Sequence, residues 1–401
     1  MSKFKFSVLI SAACLMGIFF YGLVGVSQSS PPSVRLTTMP SVQQIMPFEA
    51  EATSPQTPVQ LTLQAVDGAG HALENVNLHL QILTPNPTPW LTTDFPMVEG
   101  TELLEMTAIA PQGILTLQQM LPIRGTYQLR VQATPIVPHA FTPIAQTLTF
   151  SVSENWVKYR NFAILAVSFI DGRPPGGAGV IGERSAIQPG AIAPQSVRLL
   201  LSGAIVVAIA ALLWINISAE LAPSPHSMAM SHDMGMSHDM EVPPAVEIPT
   251  QARSQGWEMH LSGDSHARVG QPAHLQVQVM DTQTHQPATD VLLRITTTQL
   301  ENHWIAFAYE GIPDPQGQFV WQQQFFDGAA HQVTVEAAPQ VGAERQFRPF
   351  QVGQILEVEG VAPPLRVRII TLIYLTTLVG LGVLLGFQLR RWQPGLSSAQ
   401  Q

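Results

Sequence analysis

Cysteine is nearly absent: Cys14 is the only one in 401 residues. A single thiol closes no disulfide within the chain and builds no multi-thiolate zinc or iron–sulfur site. Charge is scarce as well. Asp, Glu, Lys and Arg make up 12% of the chain, about half of the roughly 25% usual in soluble domains, whereas hydrophobic residues reach 46%. That deficit predicts lipid as the solvent for part of the chain. Within the small charged set the bases are the minority, 19 against 28 acids, for a net charge of -9. No nucleic-acid partner is expected, because phosphate neutralisation needs a basic surface. The signatures of catalysis are missing too: no G-x-S-x-G elbow, no HExxH, no Walker loop, and no carboxylates spaced as a general acid and base. The chain reads as a protein that is not an enzyme.

What is present is organised by three apolar runs. The first, Val8 to Val26, follows Lys3 and Lys5. It reads as a signal-anchor, which its length favours, or as a signal peptide cut after Ser27. Ser11-Ala12-Ala13 before Cys14 makes a poor lipobox. The second run, Leu199 to Ile217, carries no charge and has the length of a bilayer crossing. Arg184 and Arg198 precede it and no base follows until Arg253, so the positive-inside rule places its start in the cytoplasm and its end outside. The third, Ile369 to Leu389, is bracketed by Arg366, Arg368, Arg390 and Arg391, which do not decide its direction.

Between the runs the pattern changes to period two. Leu61 to Val66, Val76 to Ile82, Ile114 to Leu117, Tyr127 to Ala133 and Leu148 to Val152 alternate, and so do His274 to Val279, Val291 to Ile295, Gln318 to Trp321 and Gln332 to Glu336. These are half-buried strands, and their number and spacing predict β-sandwiches. The 33 prolines and 29 glycines suit short strands and turns.

The two regions read as copies. Pro111-Gln112-Gly113 recurs as Pro315-Gln316-Gly317. Tyr127 to Pro135 aligns without a gap on His331 to Pro339, and Asp67 and His71 align with Asp281 and His285. A loop holding Trp90, Phe95 and Val98 to Thr101 is extra in the first copy.

The expected fold class is therefore all-β soluble domains, two immunoglobulin-like sandwiches, plus transmembrane α-helices. The expected division is a signal-anchor or signal peptide in 1–30, sandwich one in 31–155, and a linker with a broken membrane segment in 156–197. A transmembrane helix in 198–219, a Met/His-rich linker in 220–250 and sandwich two in 251–362 come next, then a transmembrane helix in 366–391 and a tail in 392–401. Both sandwiches face outward only if 161–182 also crosses the bilayer; otherwise the second copy lies in the cytoplasm. The outward arrangement, a multi-pass cell-membrane protein with its soluble domains on the periplasmic face, fits Arg184 and Arg198. Gly177-Ala-Gly179-Val-Ile-Gly182 matches a dinucleotide fingerprint in letters only. Pro189 and Pro194 interrupt the helix that such a fingerprint opens, and the chain then enters an apolar span.

The densest chemistry lies at His226 to Met240, where Met-Ser-His-Asp-Met occurs twice, at 230–234 and 236–240. Thioethers suit Cu(I), and imidazoles suit Cu(II), zinc and nickel. The candidate metal ligands are His226, Met228, Met230, His232, Met234, Met236, His238 and Met240, with copper the favoured ion and Asp233 and Asp239 as auxiliaries. The competing reading is a solvated spacer. His71, His79, His260, His266, His274, His285, His303 and His331 fall on predicted strands or turns, where histidines are ordinarily surface or hydrogen-bonded residues. Met259-His260 and His331 are the best auxiliary candidates among them.

Gln276-Val-Gln-Val-Met-Asp281, Pro315-Gln-Gly317 and Phe325 to Val333 together resemble the YtkA/FixH-like domain of bacterial envelope proteins. Leu121 to Leu129 resembles it more faintly. The resemblance covers about half of the chain, mostly in turn and core residues. It implies an immunoglobulin-like sandwich and partners such as a membrane metal transporter or an oxidase-assembly complex. That family's methionine-rich ligand positions are not evident inside either sandwich here.

Overall fold

The computed structural model describes residues 31–49, 56–88, 93–156, 160, 248–340, 342–343, 345–374 and 376–377. The eight proposed metal ligands, the 8–26 and 199–217 runs, the 161–182 segment and most of 369–389 lie outside these residues. Among the described residues no helix is long and apolar enough to cross a membrane; residues 365–374 are helical.

The first copy supplies β1 (Ser33–Met39), β2 (Val59–Val66), β3 (Val76–Leu83), β4 (Glu102–Ala110), β5 (Ile114–Gln119), β6 (Gly125–Pro135) and β7 (Ile144–Val152). The second supplies β8 (Gln251–Ser254), β9 (Trp257–Gly263), β10 (His266–Arg268), β11 (Pro272–Asp281), β12 (Val291–Gln299), β13 (Ile305–Gly311), β14 (Gln318–Gln324), β15 (His331–Pro339) and β16 (Phe350–Glu359). The alternation read from sequence is the burial pattern observed: in β3, Val76, Leu78, Leu80 and Ile82 are buried while Asn77, His79 and Gln81 face out. The fold is all-β, as expected.

The sandwiches are not separate bodies. One eight-stranded sheet runs β1-β2-β5-β13-β12-β15-β16-β10, and the other runs β7-β6-β3-β4-β14-β11-β9-β8. Each therefore joins three or four strands of one copy to strands of the other. The joints are β5 on β13, with Leu117 opposite Tyr309 and Gln119 opposite Phe307, and β4 on β14, with Met106 opposite Trp321. Because β4 corresponds to β13 and β5 to β14, the joints are equivalent, and an approximate two-fold relates the halves. One core of buried residues continues through both.

The duplication extends to the turns. Gly113 and Gly317 both have positive φ, 67° and 72°, and a Cβ on either would collide with a backbone oxygen, that of Leu73 or of Val279. Only glycine fits there, and each glycine carbonyl accepts from the neighbouring strand, from Ala65 N and Val279 N at 2.8 Å. Asp67 Oδ1 accepts from Ala69 N and His71 N, and Asp281 Oδ1 from Gln283 N and Thr284 N. These backbone donors hold both carboxyls below their usual range. The aligned Asp and His positions thus serve turn geometry.

Seven successive antiparallel pairings separate β7 from β8, so these strands run oppositely, at the two edges of one sheet. The end of β7 and the start of β8 consequently lie at the same end of the body. β16 joins them: Gly353 N donates to Pro249 O and Arg348 N to Gln255 Oε1, so β16 runs against β8 and also finishes there. We call this the exit end. β1 runs parallel to β16 across six antiparallel pairings and so begins at the opposite, turn end.

Candidate functional site

The exit end is closed by aromatic side chains drawn from both copies. Phe48 and Phe95 of the first meet Trp304 and Phe326 of the second. Phe48 lies 4.8 Å from Trp304 and 5.2 Å from Phe326, and Phe95 lies 5.1 Å from Phe326. Trp304 and Phe326 stack at 5.3 Å. The extra loop of the first copy therefore acts as a clasp across the joint. It is pinned by Thr84 Oγ1 donating to Val98 O and by Thr101 Oγ1 donating to Gln324 Oε1 at 2.8 Å, a bond between the copies.

His331 sits beneath this cluster, fully buried, 5.6 Å from Trp304 and 4.6 Å from Phe325. Its Nδ1–H donates to Ala329 O at 2.8 Å, and Nε2 meets no hydrogen-bond partner among the described residues. The duplication explains its place. The aligned residue in the first copy is Tyr127, also buried, whose hydroxyl donates to Ile123 O at 2.8 Å and accepts from Ile123 N. This is a tyrosine corner, and an imidazole replaces it in the second copy. His331 is thus a fully buried core residue.

Burial lowers the His331 pKa to about 4. Between the unfolded value near 6.5 and about 4, the unfolded chain binds the proton that the fold refuses. Stability is full above pH 6.5 and falls as pH drops towards 4, by about 3 kcal/mol for this group. Half-buried Asp327, whose carboxyl burial raises, acts in the opposite sense at the acid end of that window. Urea midpoints measured at pH 7.5 and 4.5 should separate clearly for the native protein and much less for His331→Gln; equal separations would remove His331 as the cause.

The other auxiliary pair divides. Met259 is buried and His260 is exposed, because neighbours on a strand face opposite sides. His79 is on the outer face of β3, with Nδ1 3.1 Å from Thr107 Oγ1 and Nε2 3.4 Å from Glu105 Oε1. It lines a cleft of about 450 Å³ where β4 and β14 diverge beyond their short pairing, together with Asn77, Glu105, Gln318, Val320 and Gln322. The approximate two-fold carries this cleft onto a second one between β5 and β13, where Arg294 replaces His79 and pairs with Glu310 at 2.8 Å and Glu336 at 3.6 Å. The clefts arise from the edge joint, a feature with no local sequence signal. Among the described residues no group of three or more His, Cys, Asp or Glu side chains is placed to hold a metal ion.

No family model matches the chain, and no curated protein does. Among solved structures it is similar to a copper-bound variant of FetP from uropathogenic Escherichia coli strain F11, at 11% identity over 28% of this chain and 97% of that one, with a TM-score of 0.21. It is similar to the adhesin InvE of Yersinia pseudotuberculosis at 12% identity, over 82% of this chain and 61% of the adhesin, with a TM-score of 0.18. Latent PorU of Porphyromonas gingivalis is 10% identical, over 83% of this chain and 25% of PorU, with a TM-score of 0.23.

Proposed function

We propose that this is a membrane-anchored envelope protein that binds a soft metal ion, copper foremost, and hands it on through the Met/His segment between its two β-sandwich copies. One observation carries the reading: the doubled Met-Ser-His-Asp-Met sequence, eight thioether and imidazole groups within fifteen residues. Soft sulfur donors select Cu(I), and imidazole broadens the choice to Cu(II). The resemblance to YtkA/FixH-like domains points the same way, and an oxidase-assembly complex or a metal transporter in the membrane is the corresponding partner. The reading is non-catalytic.

The body meets residues 153–250, the stretch that contains this sequence, at two points. Its two tethers, after Val152 and before Gln251, leave from the same end at opposite sheet edges, roughly 34 Å apart at about 4.8 Å per strand. Every strand of the two described sheets lies outside residues 153–250.

Cu(I) titration of the full chain in nanodiscs, in competition with a chromogenic chelator, tests the proposal. Deleting 226–240 should abolish the chelator-competing copper while leaving the melting temperature of the body unchanged. Equal copper binding by the deletion variant would leave the spacer reading in its place.

A further inference from the structure

We infer that the exit end of the sandwich is a bilayer-contacting face, on which the body stands with its strands upright from the membrane. The inference rests on the anchoring part of the reading above and adds to it an orientation and a contact surface.

Three chain segments leave the body at this end. After Val152 the chain leads towards the apolar stretch 162–170. Before Gln251 it comes from the uncharged run 199–217. After Glu359, nine residues separate the last strand from the start of the uncharged run 369–389, and residues 365–374 are already helical. That helix exposes Ile373 and Tyr374. Around the exits the body shows large apolar side chains to solvent: Trp156 at 73%, Met39 at 68%, Met46 at 60%, and Val42. Met39, Val42 and Met46 sit on one loop around the 3-10 turn Val42–Gln44. The same loop tucks Ile45 and Phe48 into the core, so its exposed side is held rigidly rather than left to collapse. A tryptophan beside thioether and aliphatic groups matches the interfacial zone of a bilayer, where indole sits between headgroup and acyl chain. Of the acids at this end, Glu154 is paired with Arg124, and Glu49 accepts from Asn155 Nδ2 at 2.7 Å.

The turn end also exposes Ile136 and Val137, and the apolar run 8–26 approaches it through the start of β1. Three apolar segments against one favour the exit end, and the experiment is built on that contrast. In a Cys14→Ser background, Met46→Cys and Val137→Cys each receive an environment-sensitive fluorophore, in full-length protein reconstituted into phosphatidylcholine vesicles. The expected result is blue-shifted emission at 46 that is mostly lost when the lipids carry a nitroxide quencher, with unshifted, unquenched emission at 137. Quenching at 137 instead, at both positions, or at neither overturns the inference. Flotation of the same samples separates its failure from that of the underlying reading: protein that floats without quenching at 46 is anchored in another orientation, whereas protein that does not float removes the anchor itself and the inference with it.

Discussion

Replacing Trp304 with alanine should lower the stability of the whole body by about 3–5 kcal/mol, the usual cost of deleting a large buried aromatic side chain. At about 2–4 °C per kcal/mol for a body of this size, the melting temperature falls by roughly 6–20 °C. The size of the effect comes from where the ring sits. It touches Phe48 of the first copy and Phe326 and His331 of the second, so its loss opens a cavity at the clasp and loosens both halves together. Trp304→Phe, which retains a ring against Phe48 and Phe326, should recover most of the loss. The indole Nε1 is buried without a hydrogen-bond partner among the described residues, so no polar contact is sacrificed by that exchange. Thermal unfolding followed by near-ultraviolet circular dichroism should show one transition moving as a unit. A second transition appearing while the first stays in place would mean that the halves are energetically independent.

The second large effect concerns the halves themselves. A fragment covering 248–362 expressed alone should lack the near-ultraviolet signature of a packed core, and so should 31–156 alone. Mixed or co-expressed, they should assemble one to one and regain it. Each fragment on its own would leave one edge of β4 and β5, or of β13 and β14, unpaired, and would uncover Trp321, Phe307 and Tyr309, which the joined core now buries. The joints also carry bonds that no half makes internally, such as Met120 N to Ala306 O at 2.9 Å and Thr101 Oγ1 to Gln324 Oε1. Independent folding of either fragment, read from its own cooperative melt, would show that the shared sheets are a contact of convenience. Proteolysis within 161–247 should likewise leave two chains that co-elute, because every strand of the two described sheets lies outside that stretch.

Much of the body was legible in the sequence because its signals are local. Alternation in Val76 to Ile82 or Gln332 to Glu336 names the inward face of a strand outright, and the recurring Pro-Gln-Gly turns mark a position where only glycine avoids a neighbouring carbonyl. The alignment of Tyr127 with His331 was legible as a correspondence. Its meaning was not, since a histidine in a tyrosine-corner position looks like any strand histidine until its surroundings are known. The joining of the copies left no trace in the residues. Gln118 and Gln322 sit on strands that read like any half-buried strand, and pairing between residues 190 and 217 positions apart (Gln118 with Ala308, Glu105 with Gln322) has no local signature. Likewise the extra loop of the first copy was visible as an insertion, but its Phe95 acquires a role only against Phe326 of the second. The Met/His segment was the plainest feature of the sequence, and it lies outside the described residues.

The merging of the copies also bears on how the protein avoids sticking to itself. Two independent sandwiches would present eight open sheet margins, each a template for pairing with another molecule. Lending strands across the two-fold leaves four. Two of those are the four-residue β8 and the three-residue β10, too short to recruit a foreign strand. The other two, β1 and β7, are tied to each other by Val34 N donating to Gln146 Oε1. A body with so little charge to keep its neighbours at a distance thus gains its protection against fibrous self-association from topology.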